Sequence, residues 1–264
     1  MVVRSSGSIV ALSSDHRCGY NRAVSSAPSI VEFRQYTLHP GRRDDLIELF
    51  DRELLDPQED VGMTVFGQFR DLDDAQRFVF VRGFADMATR DAALRAFYGG
   101  PVWQTHLNAA NATMIDSSDV LLLHPAGAEA GFSLPDIRPV ATPADAPRNV
   151  YVATIHAFET PIEDQFQSYF ERELQPIVEG CGARVLARFT TEHSPNTFPA
   201  LPVREDENVF LWFAAFDGQG DYEAYAERRD GSSGWRRALE PFAAQLRRPI
   251  AEVRLAPTSR SWLR

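Results

Sequence analysis

Apolar and polar positions along the chain change repeatedly between the spacing of a strand and the spacing of a helix. Residues 30–38 are rich in strand formers and end at a His-Pro-Gly turn. In the next segment, Leu46, Leu49 and Leu54 fall on one face at helical spacing. Asp86 has the position of an N-cap before a later helical segment. In the first half these patterns predict strands at 30–38, 62–70, 77–84 and 120–124, and helices at 42–55, at 87–98 and around Trp103.

The same pattern occurs a second time. Residues 50–70 and 170–190 match with a constant offset of 120, and later matches such as Trp103 and Trp235 are 132 positions apart. The 12 additional residues fall in the segment 192–208. Such an internal repeat indicates two units of one fold. The second half is predicted to contain strands at 150–158, 183–190, 209–216 and 250–255, and helices at 162–179, 222–229 and 234–246.

Each unit has the order strand, helix, strand, strand, helix, strand, which is the ferredoxin-like βαββαβ arrangement. A four-stranded sheet of this type carries helices on one face, and the matching sheet of the other unit can cover the second face. Eight strands make a barrel whose interior is filled by side chains or holds one small ligand. We therefore predict an α+β protein in which two tandem ferredoxin-like units form an intrachain dimeric α/β barrel. The predicted divisions are a disordered N-terminal extension (1–29), a first domain (30–125), a Pro-rich linker (126–148) and a second, divergent domain (149–264).

Charge and composition restrict the classes of function. The formal net charge of −10 opposes nucleic-acid binding, because the phosphates would be repelled. All 27 basic residues are arginine, so Schiff-base chemistry and a lysine-bound pyridoxal cofactor are excluded. The two cysteines, Cys18 and Cys181, are too few and too far apart in sequence for a disulfide framework or a thiolate zinc site. No two histidines have the spacing of metal ligands. We expect no metal and no cofactor.

The sequence contains no apolar run of the roughly 18 residues that a membrane-spanning helix needs. Together with the scarcity of cysteine, this favours a cytoplasmic protein. Its expected partner is a small molecule, with no nucleic acid and no membrane span. Open sheet edges at the ends of the two units would also allow pairing between chains, which makes a homo-oligomer possible.

Several motifs of the first half agree with one known family. The first strand reads Glu32-Phe33-Arg34-Gln35-Tyr36-Thr37-Leu38 and is followed by Pro40-Gly41. Agreement continues through residues 67–73, 97–103 and 110–117. On these motifs, residues 30–125 resemble the NIPSNAP family, whereas the second half is a divergent copy. The resemblance implies a fold similar to that of ferredoxin-like barrel proteins, which include cofactor-free oxygenases, isomerases and some haem enzymes. It does not select one reaction among them.

Alternation along each strand separates its two faces, although a bulge would reverse part of the assignment. Charged residues fall on the face that we assign to the barrel interior. Since buried charge is costly unless it is paired, they form either a ligand site or an ion-pair network that braces the wall. The predicted inward-facing, ligand-binding residues are Glu32, Arg34, Gln68, Arg70, Arg82, Arg188 and Trp212.

His156 is the sharpest candidate for catalysis, because a histidine in a partly apolar pocket can transfer protons near neutral pH. Tyr36 holds the equivalent position in the first unit, and we expect the two side chains to meet across the pseudo-twofold axis as a proton-transfer pair. Arg34 and Arg82 would then stabilise negative charge. The sequence favours a NIPSNAP-like protein that binds a small apolar, aromatic or anionic ligand in the barrel. Its catalytic form would be a cofactor-independent isomerase, cyclase or oxygenase.

Two alternatives stay open. The first is a non-catalytic interaction or scaffold protein whose barrel is filled. The second is a haem protein with His156 or His106 as the axial ligand. A polar cavity inside the barrel favours ligand binding, whereas a barrel packed with side chains favours the interaction protein.

Overall fold

The structure, a computed structural model, describes residues 27–134, 138 and 148–264. Most of the predicted N-terminal extension and residues 135–137 and 139–147 of the predicted linker lie outside the described residues. Within the described part, the two halves have the same order of elements. The strands are β1 (Ile30–Leu38), β2 (Thr64–Asp71), β3 (Arg77–Phe84), β4 (Met114–Pro125), β5 (Val150–Ala157), β6 (Arg184–Thr191), β7 (Val209–Phe216) and β8 (Ala251–Pro257).

The helices cover the outside of the two sheets. A π-helical turn interrupts the first long helix of each half, at Phe50–Leu54 and at Phe170–Leu174. Asp86 caps α3 as predicted, since its Oδ1 accepts a hydrogen bond from the Thr89 N–H at 2.6 Å. The α-helices are α1 (Arg43–Leu49), α2 (Leu55–Asp60), α3 (Met87–Gly99), α4 (Pro101–Asn111), α5 (Glu163–Tyr169), α6 (Gln175–Gly180), α7 (Gln219–Gly231) and α8 (Ser233–Ala243).

Pro176 does not end its helix, although proline usually does so. It lies in the first turn of α6, directly after the π-helical turn. At a helix start the missing N–H of proline has no intrahelical partner to lose. The helical segment therefore continues to Gly180.

The eight strands close into one barrel in the order β1-β3-β2-β8-β5-β7-β6-β4. Two seams join the halves: β2 pairs with β8, for example at Phe69 and Pro257, and β4 pairs with β6, for example at His124 and Thr190. The predicted α+β fold, with two ferredoxin-like units forming an intrachain barrel, is confirmed. Because every described strand has two neighbours, the open sheet edges that we expected to pair between chains are absent from the described barrel.

Three apolar cores fill the described part of the molecule. Residues of both halves form the core inside the barrel, where the Phe33 and Phe213 rings lie 5.8 Å apart and those of Phe69 and Tyr151 lie 5.7 Å apart. The other two cores lie between each sheet and its own helices. The barrel interior is thus largely occupied by the protein's own aromatic and aliphatic side chains.

A β-bulge occurs at the same place in both halves. The register of β2 against β3 shifts between Val65 and Gly67, and that of β6 against β7 shifts between Val185 and Ala187. Phe66 and Phe69, three positions apart, consequently both belong to the barrel core. Residues beyond each bulge lie on the opposite face from the one that simple alternation predicts.

The segment that follows β4 closes one end of the barrel. Within the predicted linker, the ring of Phe132 lies 5.0 Å from those of Phe66 and Phe213 and 5.2 Å from that of Phe189. From the other end of the chain, Leu263 also joins the barrel core, and its N–H donates to the Phe66 carbonyl at 3.0 Å. These contacts make parts of the linker and of the C-terminal tail structural components of the barrel.

Candidate functional site

The predicted site residues of the first half lie outside the barrel. Glu32, Arg34 and Arg82 are fully buried between the sheet and its helices, and Tyr36 belongs to the core of that layer. The inward assignment was therefore wrong. Both faces of β1 are buried, so alternation groups the residues of a face but does not say which face is inside. The aromatic and aliphatic face of β1 lies inside the barrel, and its charged face packs against the helices.

Glu32 is the centre of a buried ion-pair cluster. Its Oε2 accepts hydrogen bonds from Arg34 Nη1 at 2.9 Å and from Arg82 Nε at 2.8 Å. Its Oε1 accepts one from Arg90 Nε of α3 at 2.7 Å. Burial alone would raise the pKa of Glu32, but Arg82, Arg34 and Arg90 outweigh it and hold the pKa well below its ordinary value. We name these four residues the arginine cluster.

Two polar side chains extend the arginine cluster toward the helices. Arg34 Nε donates to the Tyr36 hydroxyl at 3.0 Å, and Arg82 Nη1 donates to Gln58 Oε1 of α2 at 2.9 Å. Burial raises the pKa of Tyr36 above its ordinary value despite the nearby arginines, so the phenol is neutral. The cluster thus ties β1 and β3 to α2 and α3. Of the two alternatives for the inward-facing charges, a ligand site or an ion-pair network, this geometry is that of an ion-pair network.

His156 is buried in the layer between the second sheet and its helices. Its ring lies 4.8 Å from that of Phe166 of α5, and its Nε2 accepts a hydrogen bond from Trp212 Nε1 at 3.3 Å. Burial lowers the pKa of His156 from 6.5 to about 3, so the imidazole is neutral at physiological pH. Tyr36 lies in the other helical layer, across the barrel. The expected meeting of Tyr36 and His156 as a proton-transfer pair was therefore wrong.

The remaining predicted ligand-binding residues also lie outside the barrel core. Beyond the bulge of β2, Arg70 pairs with Asp44 at 2.7 Å at the protein surface. Beyond the bulge of β6, Arg188 pairs with Glu171 at 3.0 Å. Gln68 is fully buried, and Trp212 packs in the core of the second layer. His106, an alternative haem ligand, lies at the surface 3.7 Å from Glu53.

A large cavity among the described residues lies at the barrel end that Phe132 partly closes. It has a volume of about 690 Å³. Aromatic and aliphatic residues of the barrel core form its floor, and the segments 27–31 and 127–133 form its sides. Its wall includes Val31, Phe66, Phe132, Phe189, His124, Glu129 and Glu192.

His124 is the imidazole of this wall, and its two nitrogens have different partners. Nδ1 lies 3.1 Å from the Pro125 carbonyl oxygen, which can only accept, so Nδ1 carries the proton. Nε2 lies 3.2 Å from the Thr190 hydroxyl, its cross-strand neighbour at the β4–β6 seam. Burial raises the pKa of the nearby Glu192, but hydrogen bonds from Ser194 and the nearby His124 and His193 outweigh the effect of burial, and the net shift of the pKa is downward. The cavity therefore contains a carboxylate whose pKa is lowered and an imidazole that is oriented by its two neighbours.

Sequence reasoning missed three kinds of functional candidate. His124 is the last residue of the predicted strand 120–124, and Phe132 lies in the predicted linker. A signal for Arg90 was available, because it shares the apolar face of α3 with Ala93, Leu94 and Phe97 at helical spacing. An arginine in such a stripe indicates a buried acidic partner.

Two classes of site are absent from the described residues. No group of three or more His, Cys, Asp or Glu side chains in that part of the chain is arranged to hold a metal ion. None of its helices combines the length and the apolar character needed to cross a membrane.

Comparison with known proteins agrees with this architecture. The NIPSNAP family model matches residues 31–128, and no curated protein matches the chain. Among solved structures, an anthrone oxidase-like protein is similar over 89% of this chain and 93% of its own, with 11% identity and a TM-score of 0.58. A monooxygenase-like protein from Lactobacillus acidophilus is similar over 87% and 94%, with 12% identity and a TM-score of 0.52.

At these identities, the likeness to both structures shows a shared barrel fold. An uncharacterized NIPSNAP domain protein from Burkholderia xenovorans is 20% identical and covers 36% of this chain and 93% of its own, with a TM-score of 0.34. The family match falls on the half that supplies β1 to β4 and the arginine cluster. The chain is thus similar to the NIPSNAP family over residues 31–128.

Proposed function

We propose that the protein binds a small apolar or aromatic molecule in the cavity at the barrel end. The observation that carries this proposal is the cavity itself, because about 690 Å³ lies within the usual range of ligand sites. Phe66 and Phe189 of its floor and Phe132 of its side offer aromatic contacts, and a few polar groups at the rim would orient the ligand. This mixture of apolar wall and sparse polar groups is typical of small-molecule sites.

The charges of the cavity favour a neutral or cationic ligand. Glu129 and Glu192 line it, whereas Arg34 and Arg82, which we expected to hold an acidic group, lie in the arginine cluster outside the barrel. Hydrogen-bond donors on the ligand would pair with Glu192. The anionic ligand class is therefore replaced in this proposal by neutral aromatic molecules.

The catalytic form of the proposal assigns proton transfer to His124. Its Nδ1–H donates to the Pro125 carbonyl and fixes the tautomer, which leaves the Nε2 lone pair for a proton from Thr190 or from a ligand that displaces this contact. Acid/base chemistry of this kind requires no cofactor. Binding is the primary proposal, and turnover is a consequence that depends on the ligand.

One observation favours the rival function, an interaction protein with a filled barrel. The interior beyond the cavity is packed with side chains of the protein, including Phe33, Phe69 and Phe213. If the cavity takes no ligand, function would lie on the outer helical surface. The same binding experiment separates the two functions.

The experiment is a fluorescence titration with N-phenyl-1-naphthylamine, a neutral aromatic probe, and with anilinonaphthalene sulfonate, its anionic relative. We expect saturable binding of the neutral probe and weaker binding of the anionic one. Gly131→Trp should reduce the affinity for the neutral probe at least about tenfold. A side chain at Gly131 extends into the cavity, and its Cβ meets only Pro125, at 3.6 Å.

Gly220→Trp is the matched control, since that glycine has open space around it on α7, away from the cavity. It should bind the probe like the wild type. Non-saturable binding to the wild type, or equal binding by both tryptophan variants, would reject the cavity as a ligand site and leave the interaction protein as the better account.

A further inference from the structure

The arginine cluster carries more positive than negative charge. Arg34, Arg82 and Arg90 are each fully buried, and Glu32 is the carboxylate among the described residues that pairs with them. Tyr36 is neutral, so the cluster has a formal charge of +2. Two unbalanced buried charges are costly unless a counter-charge lies close by.

Buried hydrogen-bond donors beside the cluster also lack partners. Arg34 Nη2 is fully buried and makes no hydrogen bond within the described residues. Gln68, on the same face of the sheet two strands away, is buried with both amide atoms unpaired. Buried polar atoms are nearly always satisfied in native proteins, by protein groups or by a bound species. With Arg34 Nη2 unpaired, the arginine cluster has an unsatisfied donor as well as an excess of positive charge, and both favour an anion nearby.

A small cavity lies next to the arginine cluster, with a volume of about 30 Å³. Four of its wall residues contact the cluster directly: Tyr36 and Gln58 by hydrogen bonds, and Phe80 and Tyr98 by their rings. The guanidinium carbon of Arg34 lies 5.8 Å from the Phe80 ring centre, and that of Arg82 lies 5.9 Å from the Tyr98 ring centre.

The wall also supplies a directed donor. The Tyr36 oxygen accepts from Arg34 Nε, so its own proton remains free to donate. Since one water needs about 10–15 Å³ of such space, the cavity accommodates two water molecules or one halide-sized ion, and no larger anion.

We infer that this cavity is a binding site for a small monovalent anion of halide size. The anion would accept a hydrogen bond from the Tyr36 hydroxyl and would neutralise half of the excess charge of the arginine cluster. This site is separate from the barrel-end cavity and does not depend on the ligand proposed there.

A segment of the second half covers the site. In the segment 192–208, Asn196 Oδ1 accepts from Arg90 Nη1 at 3.0 Å, and the ring of Phe198 stacks on that of Tyr98 at 6.0 Å. These contacts place the 12 additional residues of the second half over the helices of the first. They hold Arg90 and one wall residue of the anion cavity in position.

The second half contains a natural comparison. There Arg229 pairs with both Glu252 and Asp230, and it also contacts the buried Tyr225 hydroxyl at 3.5 Å. That arginine is balanced by carboxylates and needs no counter-ion. Tyr225 is therefore the matched control for Tyr36.

The test measures the thermal unfolding midpoint while sodium chloride replaces sodium gluconate at constant ionic strength. Gluconate is too large for the cavity. Chloride should raise the midpoint of the wild type with the logarithmic dependence of a ligand that binds the folded state, and bromide should act similarly. The ³⁵Cl NMR line should broaden with the wild-type protein and narrow again when bromide is added.

Tyr36→Phe should lower the chloride affinity at least about tenfold, whereas Tyr225→Phe should leave it unchanged. The inference is overturned if the wild type shows neither a chloride-dependent midpoint nor ³⁵Cl broadening. It is equally overturned if Tyr36→Phe and Tyr225→Phe respond to chloride alike, because the effect would then be a general effect of salt.

Discussion

Acidification should destabilise the fold through His156. Burial lowers the pKa of this imidazole from 6.5 to about 3, so the folded protein keeps it neutral where the unfolded chain already binds a proton. Between pH 6.5 and about pH 3, the unfolded state binds up to one more proton than the folded state. The free energy of unfolding then falls by about 1.4 kcal/mol per pH unit as the pH decreases. From about pH 7.5 to about pH 4.5, His156 should cost roughly 2.7 kcal/mol.

The assay is urea unfolding at a series of pH values, for the wild type and for His156→Gln. Glutamine does not titrate, and its amide oxygen can accept the hydrogen bond of Trp212 Nε1. Because other groups also titrate, the informative quantity is the difference in unfolding free energy between wild type and variant. We expect the wild-type advantage at pH 7.5 to shrink by roughly 2–3 kcal/mol at pH 4.5.

His39→Gln is the matched control, since His39 is exposed at the turn after β1 and its removal should leave the pH dependence of the wild type intact. A constant difference between wild type and His156→Gln across the whole pH range would refute the reasoning. It would mean that the imidazole can accept a proton without unfolding, and His156 would return as a candidate for proton transfer.

Two further predictions concern the arginine cluster and the barrel. Glu32→Gln removes the carboxylate from among three buried guanidinium groups and should lower the free energy of unfolding by about 3–5 kcal/mol. The exposed Glu48→Gln on α1 should have no measurable effect in the same urea titration, and equal effects would contradict the burial argument. Gly67→Ala would place a methyl group into the Phe69 ring inside the barrel and should cost about 1–3 kcal/mol. Gly99 has open space around it, so Gly99→Ala should leave the free energy of unfolding unchanged. An unfolding midpoint equal to that of the wild type for Gly67→Ala would show that the barrel core can rearrange around the added methyl group.

The elements of the fold were predictable because each has a clear period. Strands β1, β3 and β7 have the predicted bounds, and the repeated spacing correctly implied a second sheet to cover the first. The length of the first helix of each half was less accessible. A π-helical turn adds a residue to a helix without any strong sequence signal. Proline usually ends a helix, but the helical segment continues through Pro176 directly after such a turn.

The site was less predictable, because both faces of these strands are buried. Glu32 and Arg34 alternate with Val31 and Phe33 in β1, and alternation alone cannot tell a barrel interior from a helix interface. The partner that decides the question, Arg90, is 58 residues from Glu32 in the sequence. The bulges at Gly67 and Ala187 then reversed the remaining strand positions. The local periodicity of the sequence reveals neither long-range pairing nor a one-residue bulge.

The two halves of a barrel made by one chain can differ in sequence, whereas the two subunits of a symmetric homodimer cannot. In a symmetric pair, every cavity and every charged cluster would occur twice, and a change that suits one copy would be imposed on the other. Here the two seams unite halves of different sequence, so that each outer layer can change by itself. One layer carries an excess of buried arginine and the other a neutral histidine among aromatic rings. Similarly, the segment after β4 brings the aromatic ring of Phe132 against the barrel core, whereas the segment after β8 brings the aliphatic Leu263 there.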